Sequence, residues 1–378
     1  MNLLLVFCVA LSATILNLVL TPSIIRISHR FRWYDRLDHR KIHTVLIPRL
    51  GGVGIFTSFF VSIIVVPIIF NTVFGAQSYT FLNIRLVWMF SGFLMIYLLG
   101  LIDDFYSLKA ALKFLIQILA AGVVTAGGFV VKSIWLPGLG TIEFGFFAYP
   151  LTIIWIVGIT NAMNLVDGMD GLSAGIASFA ALTMGVIALL GGGGQVATAI
   201  MAFALLGALA GFLRYNFPPA KIFMGDSGSL FLGFALAVFP LMGLTQKGIS
   251  AAGTFGSLLI PITVLLVPII DTLAAIFRRI RRKQSIAAPD KEHIHHKLLD
   301  LGLSEKKILA VVYSVCLYLS IVSVTLTSDI LPNKALHVLI VFVVWIGLVM
   351  GYGILHLVQS KKKEAHEKHD DKENTRIG

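Results

Sequence analysis

The stretch Leu151-Thr-Ile-Ile-Trp-Ile-Val-Gly-Ile-Thr-Asn-Ala-Met-Asn-Leu-Val-Asp-Gly-Met-Asp-Gly-Leu-Ser173 passes from a long apolar run into a polar row. Two amides and two carboxylates recur every three residues, at Asn161, Asn164, Asp167 and Asp170. On a helix this spacing places the four side chains along one slanted face, although any one of them could simply cap a helix end. A glycine after each aspartate lets the backbone bend or approach a ligand. The set predicts a polar site at a membrane boundary.

The composition indicates a membrane protein. Hydrophobic residues make up 57% of the 378 residues and charged residues only 13%, which excludes a soluble globular protein. Runs near or above the roughly 20 residues of a transmembrane helix predict about eleven spans, at 3–25, 50–70, 84–102, 111–131, 148–164, 173–191, 195–213, 228–246, 252–276, 308–327 and 335–358. We expect an all-α polytopic fold with one integral membrane domain over residues 1–358 and a disordered charged tail over 359–378.

The N-terminal run and the two cysteines bear on targeting and on redox chemistry. The N-terminal apolar run has no preceding basic residue and no small-residue cleavage site, so we interpret it as a first span rather than a removable signal. Cys8 and Cys316 lie inside apolar runs and provide neither a disulfide framework nor a cysteine metal motif.

The basic residues divide the connections between spans into two sides. One side carries 26 Lys and Arg, in 26–49, 103–113, 214–227, 277–307 and the tail. The other carries only four, Arg85, Lys132, Lys247 and Lys334. The positive-inside rule places the first side in the cytoplasm, with the N-terminus outside and the C-terminus inside. The net charge of +11 therefore indicates an inner membrane face that attracts anionic lipids and phosphorylated ligands, and no nucleic acid partner.

The acidic pair Asp103-Asp104 ends the third predicted span on the cytoplasmic side. An ionised residue in a membrane costs about 2.5–3.5 kcal/mol on insertion scales, and adjacent carboxylates also repel each other. Such a pair can reach water from a span end, but it better indicates a bound cation or a cationic substrate group. Lys109 and Lys113 follow, and each could be either a solvated interface lysine or part of the site.

A second polar segment, Asn216-Phe-Pro-Pro-Ala-Lys-Ile-Phe-Met-Gly-Asp-Ser-Gly-Ser229, follows the seventh span. Pro218-Pro219 prevents helix continuation, so we expect an ordered non-helical loop across the cytoplasmic face. The next helix would offer backbone N–H groups suited to phosphate at its start. A carboxylate at Asp226, beside an anion site, makes sense if Mg²⁺ lies between them; a simple N-cap is the alternative.

The most basic connection, 277–307, joins an arginine-rich run to Pro289-Asp-Lys-Glu-His-Ile-His-His296. We expect a membrane-surface helix from Pro289 to Gly302, with one apolar face formed by Ile294, Leu298 and Leu301. The histidines do not share one face, so a zinc site is poorly supported, and they are better suited to phosphate or sugar oxygens.

Three further segments carry weaker signals. Asp271, inside the ninth span, is either half of a structural ion pair or a further polar group of the site. The outer segment Ser133–Phe144 predicts a small hairpin around Pro137-Gly138. The first inner loop, Asp35–Gly52, is basic and ends in a tight Pro/Gly turn.

Together these segments resemble the polyprenyl-phosphate N-acetylhexosamine-1-phosphate transferases, glycosyltransferase family 4, from Asp35 to about Gly302. Five motifs occur in the family's order: Arg40-Lys41-x-His43…Pro48-Arg49-x-Gly51-Gly52, Asp103-Asp104, Asn161-Ala-x-Asn164-x-x-Asp167-Gly-x-Asp170-Gly, Asn216…Phe223-Met-Gly-Asp226-Ser-Gly and His293-Ile-His295-His296. Pro289-Asp290 before the histidines is similar to the branch that transfers GlcNAc-1-phosphate from UDP-GlcNAc to undecaprenyl phosphate and starts teichoic-acid, O-antigen or enterobacterial common antigen synthesis. The alternative branch, the phospho-MurNAc-pentapeptide translocase, has three consecutive histidines, so Ile294 argues against it.

The resemblance implies a role for each matching residue. Catalytic residues would be Asp103, Asp104 and Asp226, with Asp103 matching a candidate base. Mg²⁺, or Mn²⁺ in its place, would be bound by Asp226 and Asn164. Substrate would be bound by Arg49, Lys113, Asn164, Asp167, Gly168, Met169, Asp170, Asn216, Phe223, His293, His295 and His296, of which Gly168, Met169, Asp170 and Phe223 match the uracil pocket.

The implied partners are UDP-GlcNAc, undecaprenyl phosphate and the lipid bilayer, and a homodimer is compatible with them. The implied location is the bacterial cell membrane, with a cytoplasmic active site. Two positions depart from the pattern: Leu46 stands where the family often has proline, and Ser107 where some members have a third aspartate. A transporter is the rival of another class, but its acids would lie at mid-membrane. An intramembrane prenyltransferase would need two aspartate-rich motifs.

Overall fold

The structure is a computed structural model that describes residues 2–34, 46–74, 83–136, 140–191, 195–244, 261–285, 292–327, 339–351 and 353–354. Its helices are α1 (Asn2–Phe31), α2 (Gly51–Phe74), α3 (Ile84–Tyr106), α4 (Ala110–Ala126), α5 (Ala148–Val166), α6 (Leu172–Leu190), α7 (Val196–Asn216), α8 (Gly225–Leu244), α9 (Leu266–Arg281), α10 (Ile294–Asp300), α11 (Glu305–Thr327) and α12 (Leu339–Gly351). Two strands, β1 (Ser133–Leu136) and β2 (Gly140–Glu143), lie between α4 and α5.

Eight helices within these ranges are long and apolar enough to cross a bilayer: α1, α2, α3, α5, α6, α7, α8 and α11. Helices α4 and α12 are apolar but shorter. Helix α9 occupies the later part of the predicted span 252–276, whose first part lies outside the described residues. Each predicted span therefore coincides with a helix, and the all-α, multi-pass membrane fold is confirmed.

The fourth predicted span, 111–131, ends earlier than expected. Helix α4 stops at Ala126, and Gly128 then takes φ +89°, a conformation that glycine adopts without steric cost. The chain turns there into β1 and β2, which pair antiparallel with Ser133 opposite Glu143. The predicted hairpin is confirmed, although its tip at Pro137-Gly138 lies outside the described residues.

Helix α8 is the most enclosed of the eight spanning helices and packs against both α3 and α5. A small residue permits the close approach to α5: a Cβ on Gly233 would lie 2.7 Å from the Cα of Thr160. Because α8 begins at Gly225, this packing brings Asp226 beside the ends of α3 and α5, where the other acidic residues lie.

Candidate active site

The site begins at the turn between α3 and α4. Asp103 is buried in the last turn of α3, and the helix ends at Ser107, which takes a left-handed φ of +51°. The backbone N–H of Leu108 donates to Asp103 Oδ1 at 2.6 Å, and Lys113 Nζ donates to Asp103 Oδ2 at 2.7 Å. The tight turn therefore brings the first turn of α4 over the carboxylate of Asp103.

The ammonium group of Lys113 also binds Asp226, with 2.8 Å between Nζ and Oδ2. One cation thus lies between carboxylates from two different helices and offsets their mutual repulsion. We call Asp103, Lys113 and Asp226 the carboxylate centre. Lys113 is therefore no solvated interface lysine, whereas Lys109 is exposed.

Asp104 has a different environment from its neighbour Asp103. Its two oxygens accept the backbone N–H groups of Asp226 at 2.8 Å and Ser227 at 3.0 Å, and Arg49 pairs with Oδ1 at 3.0 Å. Asp104 thereby caps the start of α8. The expectation that these N–H groups bind phosphate is wrong, because a carboxylate of the protein already occupies that position.

The Pro/Gly turn of the first inner loop is joined to the loop before α8. Phe223 N donates to Pro48 O at 2.7 Å, while Gly51 N donates to Phe223 O at 2.9 Å. A Cβ on Gly52 would lie 2.2 Å from the backbone nitrogen of Gly228, so only glycine fits there. This contact sets Arg49 beside α8; residues 35–45, with Arg40, Lys41 and His43, lie outside the described residues.

Asn164 completes the surroundings of Asp226 from α5. Its Nδ2 donates to Ser229 Oγ at 2.8 Å and approaches Asp226 Oδ1 at 3.3 Å. Asp226 is therefore no N-cap, since its side chain binds side chains of α4 and α5. The predicted metal pair, Asp226 and Asn164, does lie together.

The polar row Asn161, Asn164, Asp167 and Asp170 does not form one helical face. Helix α5 ends at Val166 with Asp167 as its C-cap, so only Asn161 and Asn164 lie on the helix. Asp170 lies beyond the helix end, in the turn that leads to α6. The expected single face is wrong because the chain leaves the helix after Val166.

The turn after α5 is bound to the loop before α8. Asp170 Oδ2 accepts the backbone N–H of Ala220 at 2.8 Å, and Asn216 Oδ1 accepts that of Gly171 at 3.0 Å. Asn216 also donates from Nδ2 to Ile222 O at 2.8 Å. We call residues 167–171 and 216–224 the loop pair. Its polar side chains hold two backbone segments in register.

Asp167, at the edge of the loop pair, is partly buried. Burial, followed by the nearby carboxylates of Asp226, Asp104 and Asp170, raises its pKa to about 8. These carboxylates therefore oppose a negative charge on Asp167, and a bound cation would reduce that repulsion. Met169 packs against the apolar core beside it.

The histidine arm, residues 292–303, contacts the loop pair through His295. Helix α10 begins at Ile294, later than the predicted start at Pro289, which lies outside the described residues. Its end is as predicted, with Gly302 at φ +90°. Leu298 is buried as expected, but so is Lys297, so the arm packs into the protein and does more than lie on a membrane surface.

His295 packs against Gly168 of the loop pair. It is 2% exposed, and a Cβ on Gly168 would lie 2.8 Å from its Nε2. Burial, with a smaller contribution from His296, lowers its pKa to about 3, so this imidazole is neutral at physiological pH. The ring of His293 lies parallel to that of His295 with centroids 6.0 Å apart. Within the described ranges, no group of three or more His, Cys, Asp or Glu could hold a metal ion.

Comparisons with known proteins identify the family of the chain. The family model of glycosyl transferase family 4 matches residues 86–244. A Bacillus subtilis (strain 168) protein with the name "Probable undecaprenyl-phosphate N-acetylglucosaminyl 1-phosphate transferase" is 39% identical over 347 residues, covering 92% of this chain and 91% of that protein. The chain belongs to glycosyl transferase family 4.

Other members of family 4 are similar over most of their length. A decaprenyl-phosphate N-acetylglucosaminephosphotransferase of Mycobacterium tuberculosis (strain ATCC 25618 / H37Rv) is 34% identical, over 86% of this chain and 82% of the relative. An undecaprenyl-phosphate alpha-N-acetylglucosaminyl 1-phosphate transferase of Escherichia coli (strain K12) is 30% identical, over 72% and 71%. The predicted family and its GlcNAc-1-phosphate branch are therefore confirmed.

Sequence reasoning missed two polar residues that shape this family 4 site. Gln117 is buried in α4 and accepts from Asn161 Nδ2 at 2.5 Å; its position four residues after Lys113 in an apolar helix was an available signal. Tyr313 of α11 donates its hydroxyl to Gly171 O at 2.7 Å. No local pattern marks that tyrosine, because the contact depends on how α11 packs.

Proposed function

We propose that the protein transfers GlcNAc-1-phosphate from UDP-GlcNAc to undecaprenyl phosphate and releases UMP, initiating a cell-wall or surface polysaccharide. The observation that carries the proposal is the convergence of Asp103 and Asp226 on Lys113 at the ends of spanning helices, in a member of this family. A lipid phosphate reaches such a position from the bilayer and a nucleotide sugar reaches it from water.

The proposed location is the bacterial cell membrane, with the site at the cytoplasmic face. The distribution of basic residues supports this orientation, because 26 of the 30 Lys and Arg fall on the side that carries the site. Nucleotide sugars are made in the cytoplasm, so a donor site on that side is also chemically consistent.

The proposed cofactor is Mg²⁺, with Mn²⁺ as a substitute, and the residues present fit it. Asp226 would hold the ion, since Mg²⁺ takes oxygen ligands from one or two carboxylates together with substrate phosphates. Asn164, whose Nδ2 faces Asp226, would contribute its amide oxygen after the amide group turns over. The carboxylate centre already converges on one cation, the ammonium of Lys113. When bound, Mg²⁺ neutralises charge on the diphosphate.

The protein's own groups would mainly position the two phosphates. A polyprenyl-phosphate oxygen forms a bond to the β-phosphorus of UDP-GlcNAc while the bond to UMP breaks, and UMP leaves with the electron pair. Lys113 would bind the lipid phosphate and Asp103 would orient Lys113. Because a phosphate monoester has a second pKa near about 6, little proton removal by Asp103 is required.

Two features of the reaction follow from this chemistry. One phosphoanhydride replaces another, so we expect the transfer to be readily reversible. A covalent aspartyl-phosphate on Asp103 or Asp226 is the alternative route, and it would allow exchange between UMP and UDP-GlcNAc in the absence of lipid.

The deciding experiment supplies purified protein with undecaprenyl phosphate and either UDP-GlcNAc or UDP-MurNAc-pentapeptide, with Mg²⁺ or with EDTA. We expect release of UMP and formation of a lipid-linked GlcNAc only with UDP-GlcNAc and Mg²⁺. Transfer from UDP-MurNAc-pentapeptide alone would contradict the donor assignment. Full activity in EDTA would contradict the cofactor assignment.

A further inference from the structure

Asp271 connects α9 to the histidine arm. It is 1% exposed, and its Oδ2 lies 2.8 Å from His293 Nδ1 while its Oδ1 accepts the backbone N–H of Ile294 at 2.9 Å. The carboxylate therefore binds both the first turn of α10 and the side chain just before that helix. An isolated buried charge would be costly, whereas this one is compensated by two hydrogen bonds.

This contact determines which nitrogen of His293 carries a proton. An ionised carboxylate only accepts hydrogen bonds, so Nδ1 must be the N–H donor. In the neutral imidazole the proton is then absent from Nε2, which presents a lone pair. Among the described residues, Nε2 of His293 has no hydrogen-bond partner.

A second contact brings the ring of His293 towards the loop pair. The ring of His293 is parallel to that of His295, and His295 lies against Gly168 of the loop pair. The imidazole of His293 therefore lies next to the side chain that contacts the loop pair.

We infer that Asp271 is a positioning residue that holds His293 in one tautomer, with Nε2 as an acceptor for a hydroxyl group of the nucleotide sugar. The inference rests on the proposed transferase function. The phosphates of UDP-GlcNAc provide no hydrogen-bond donor at neutral pH, whereas its ribose and hexose hydroxyls do. Asp271 itself touches no substrate and acts through His293.

The substitution Asp271→Asn tests the tautomer directly. An asparagine keeps an oxygen for the N–H of Ile294 but offers N–H to Nδ1 of His293, so the proton moves to Nε2. In the full-length protein in detergent, with ¹⁵N-labelled histidine, wild type should show His293 protonated at Nδ1 and Asp271→Asn should show it protonated at Nε2. His293→Asn identifies the His293 signal among the ten histidines. The same tautomer in both proteins would overturn the inference.

Kinetics provide the second readout. The loss of one hydrogen bond to an uncharged group corresponds to roughly a tenfold change, so Asp271→Asn should raise the KM for UDP-GlcNAc by about that factor with little change in kcat. His293→Asn retains an N–H that can bind Asp271 but has no group at the position of Nε2. It should therefore raise KM to the same extent with an unchanged Tm.

A double substitution and a neighbouring control complete the test. In the His293→Asn background, Asp271→Asn should have no further effect on KM; an additive effect would show that Asp271 acts through the backbone of α10 instead. Thr272→Val, which removes a buried hydroxyl without a partner among the described residues, should match wild type. The labelled-histidine result stands even if wild type releases no UMP, so failure of the proposed function remains distinguishable.

Discussion

The carboxylate centre and the loop pair use the same residue types in opposite ways. In the carboxylate centre, Asp103 and Asp226 bind a flexible lysine side chain, at 2.7 and 2.8 Å. In the loop pair, Asp170 and Asn216 bind backbone N–H groups. A lysine can exchange its partners when substrate arrives, whereas a backbone segment held in register cannot.

This difference separates groups that act from groups that hold the site in shape. Carboxylates that pair with a flexible lysine can bind a metal ion in its place, and the lysine can then bind a phosphate. Side chains whose oxygens are taken by backbone groups determine where a ligand can bind, and their loss should affect binding and stability more than turnover. Substitutions in the two regions should therefore give different kinetic patterns.

The largest effect is expected for Asp226→Asn in the carboxylate centre. The substitution removes the charge that we propose to hold Mg²⁺, and kcat for UMP release should fall by roughly 10³-fold or more. Thermal unfolding should show that the variant remains folded. Wild-type turnover with unchanged Mg²⁺ dependence would contradict the metal assignment.

The adjacent residues Asp103 and Asp104 should show the same contrast between an effect on turnover and an effect on stability. Asp103→Asn should lower kcat by roughly 10²-fold, because a misplaced Lys113 no longer aligns the lipid phosphate. Tm should change little, because the asparagine keeps an oxygen for the N–H of Leu108. Asp104→Asn should lower Tm clearly, since loss of a charge buried against Arg49 and the start of α8 costs about 3–5 kcal/mol. Equal kinetic and stability profiles for the two variants would show that the distinction is wrong.

Lys113→Gln should act mainly on the lipid substrate. A charge-assisted hydrogen bond is worth about 1.5–3 kcal/mol, so the KM for undecaprenyl phosphate should rise by roughly 10- to 100-fold while that for UDP-GlcNAc changes little. Lys113→Arg, which keeps the charge, is the matched control and should recover part of the loss. A larger change in the KM for UDP-GlcNAc would show that Lys113 binds the nucleotide sugar instead of the lipid phosphate.

In the loop pair, Asn216→Ala should affect the nucleotide sugar. It leaves the N–H of Gly171 and the carbonyl of Ile222 without partners, at about 1–3 kcal/mol each, so both Tm and affinity for UDP-GlcNAc should fall. Asn216→Asp keeps the acceptor and should give a smaller effect. A fall in kcat alone, with KM and Tm unchanged, would place Asn216 among the reacting groups.

The membrane fold was predictable because a bilayer requires apolar runs of a fixed length and because basic residues concentrate in the cytoplasmic loops. That Asp103 and Asp226 lie in one polar site was predictable for a related reason, since ionised groups at span ends are costly. The cap that Asp104 provides to Asp226 joins residues 122 positions apart, and the bond from Asp271 to His293 depends on how α9 meets α10. No local pattern encodes such contacts, because they follow from the packing of whole helices.

The smallest expected effect concerns Asp167, which lies between the two regions. Its pKa is raised from the ordinary 3.8 to about 8, first by burial and then by the neighbouring carboxylates. Between about pH 4 and pH 8 the folded protein retains a proton that the unfolded chain releases, so stability should fall as the pH rises through this range.

In EDTA, the Tm of wild type should decline from pH 5 to pH 8, and Asp167→Asn should flatten that decline. Added Mg²⁺ should also reduce the slope in wild type, because a bound cation favours the ionised carboxylate. Identical slopes for wild type and Asp167→Asn would show that Asp167 does not retain this proton in the folded protein.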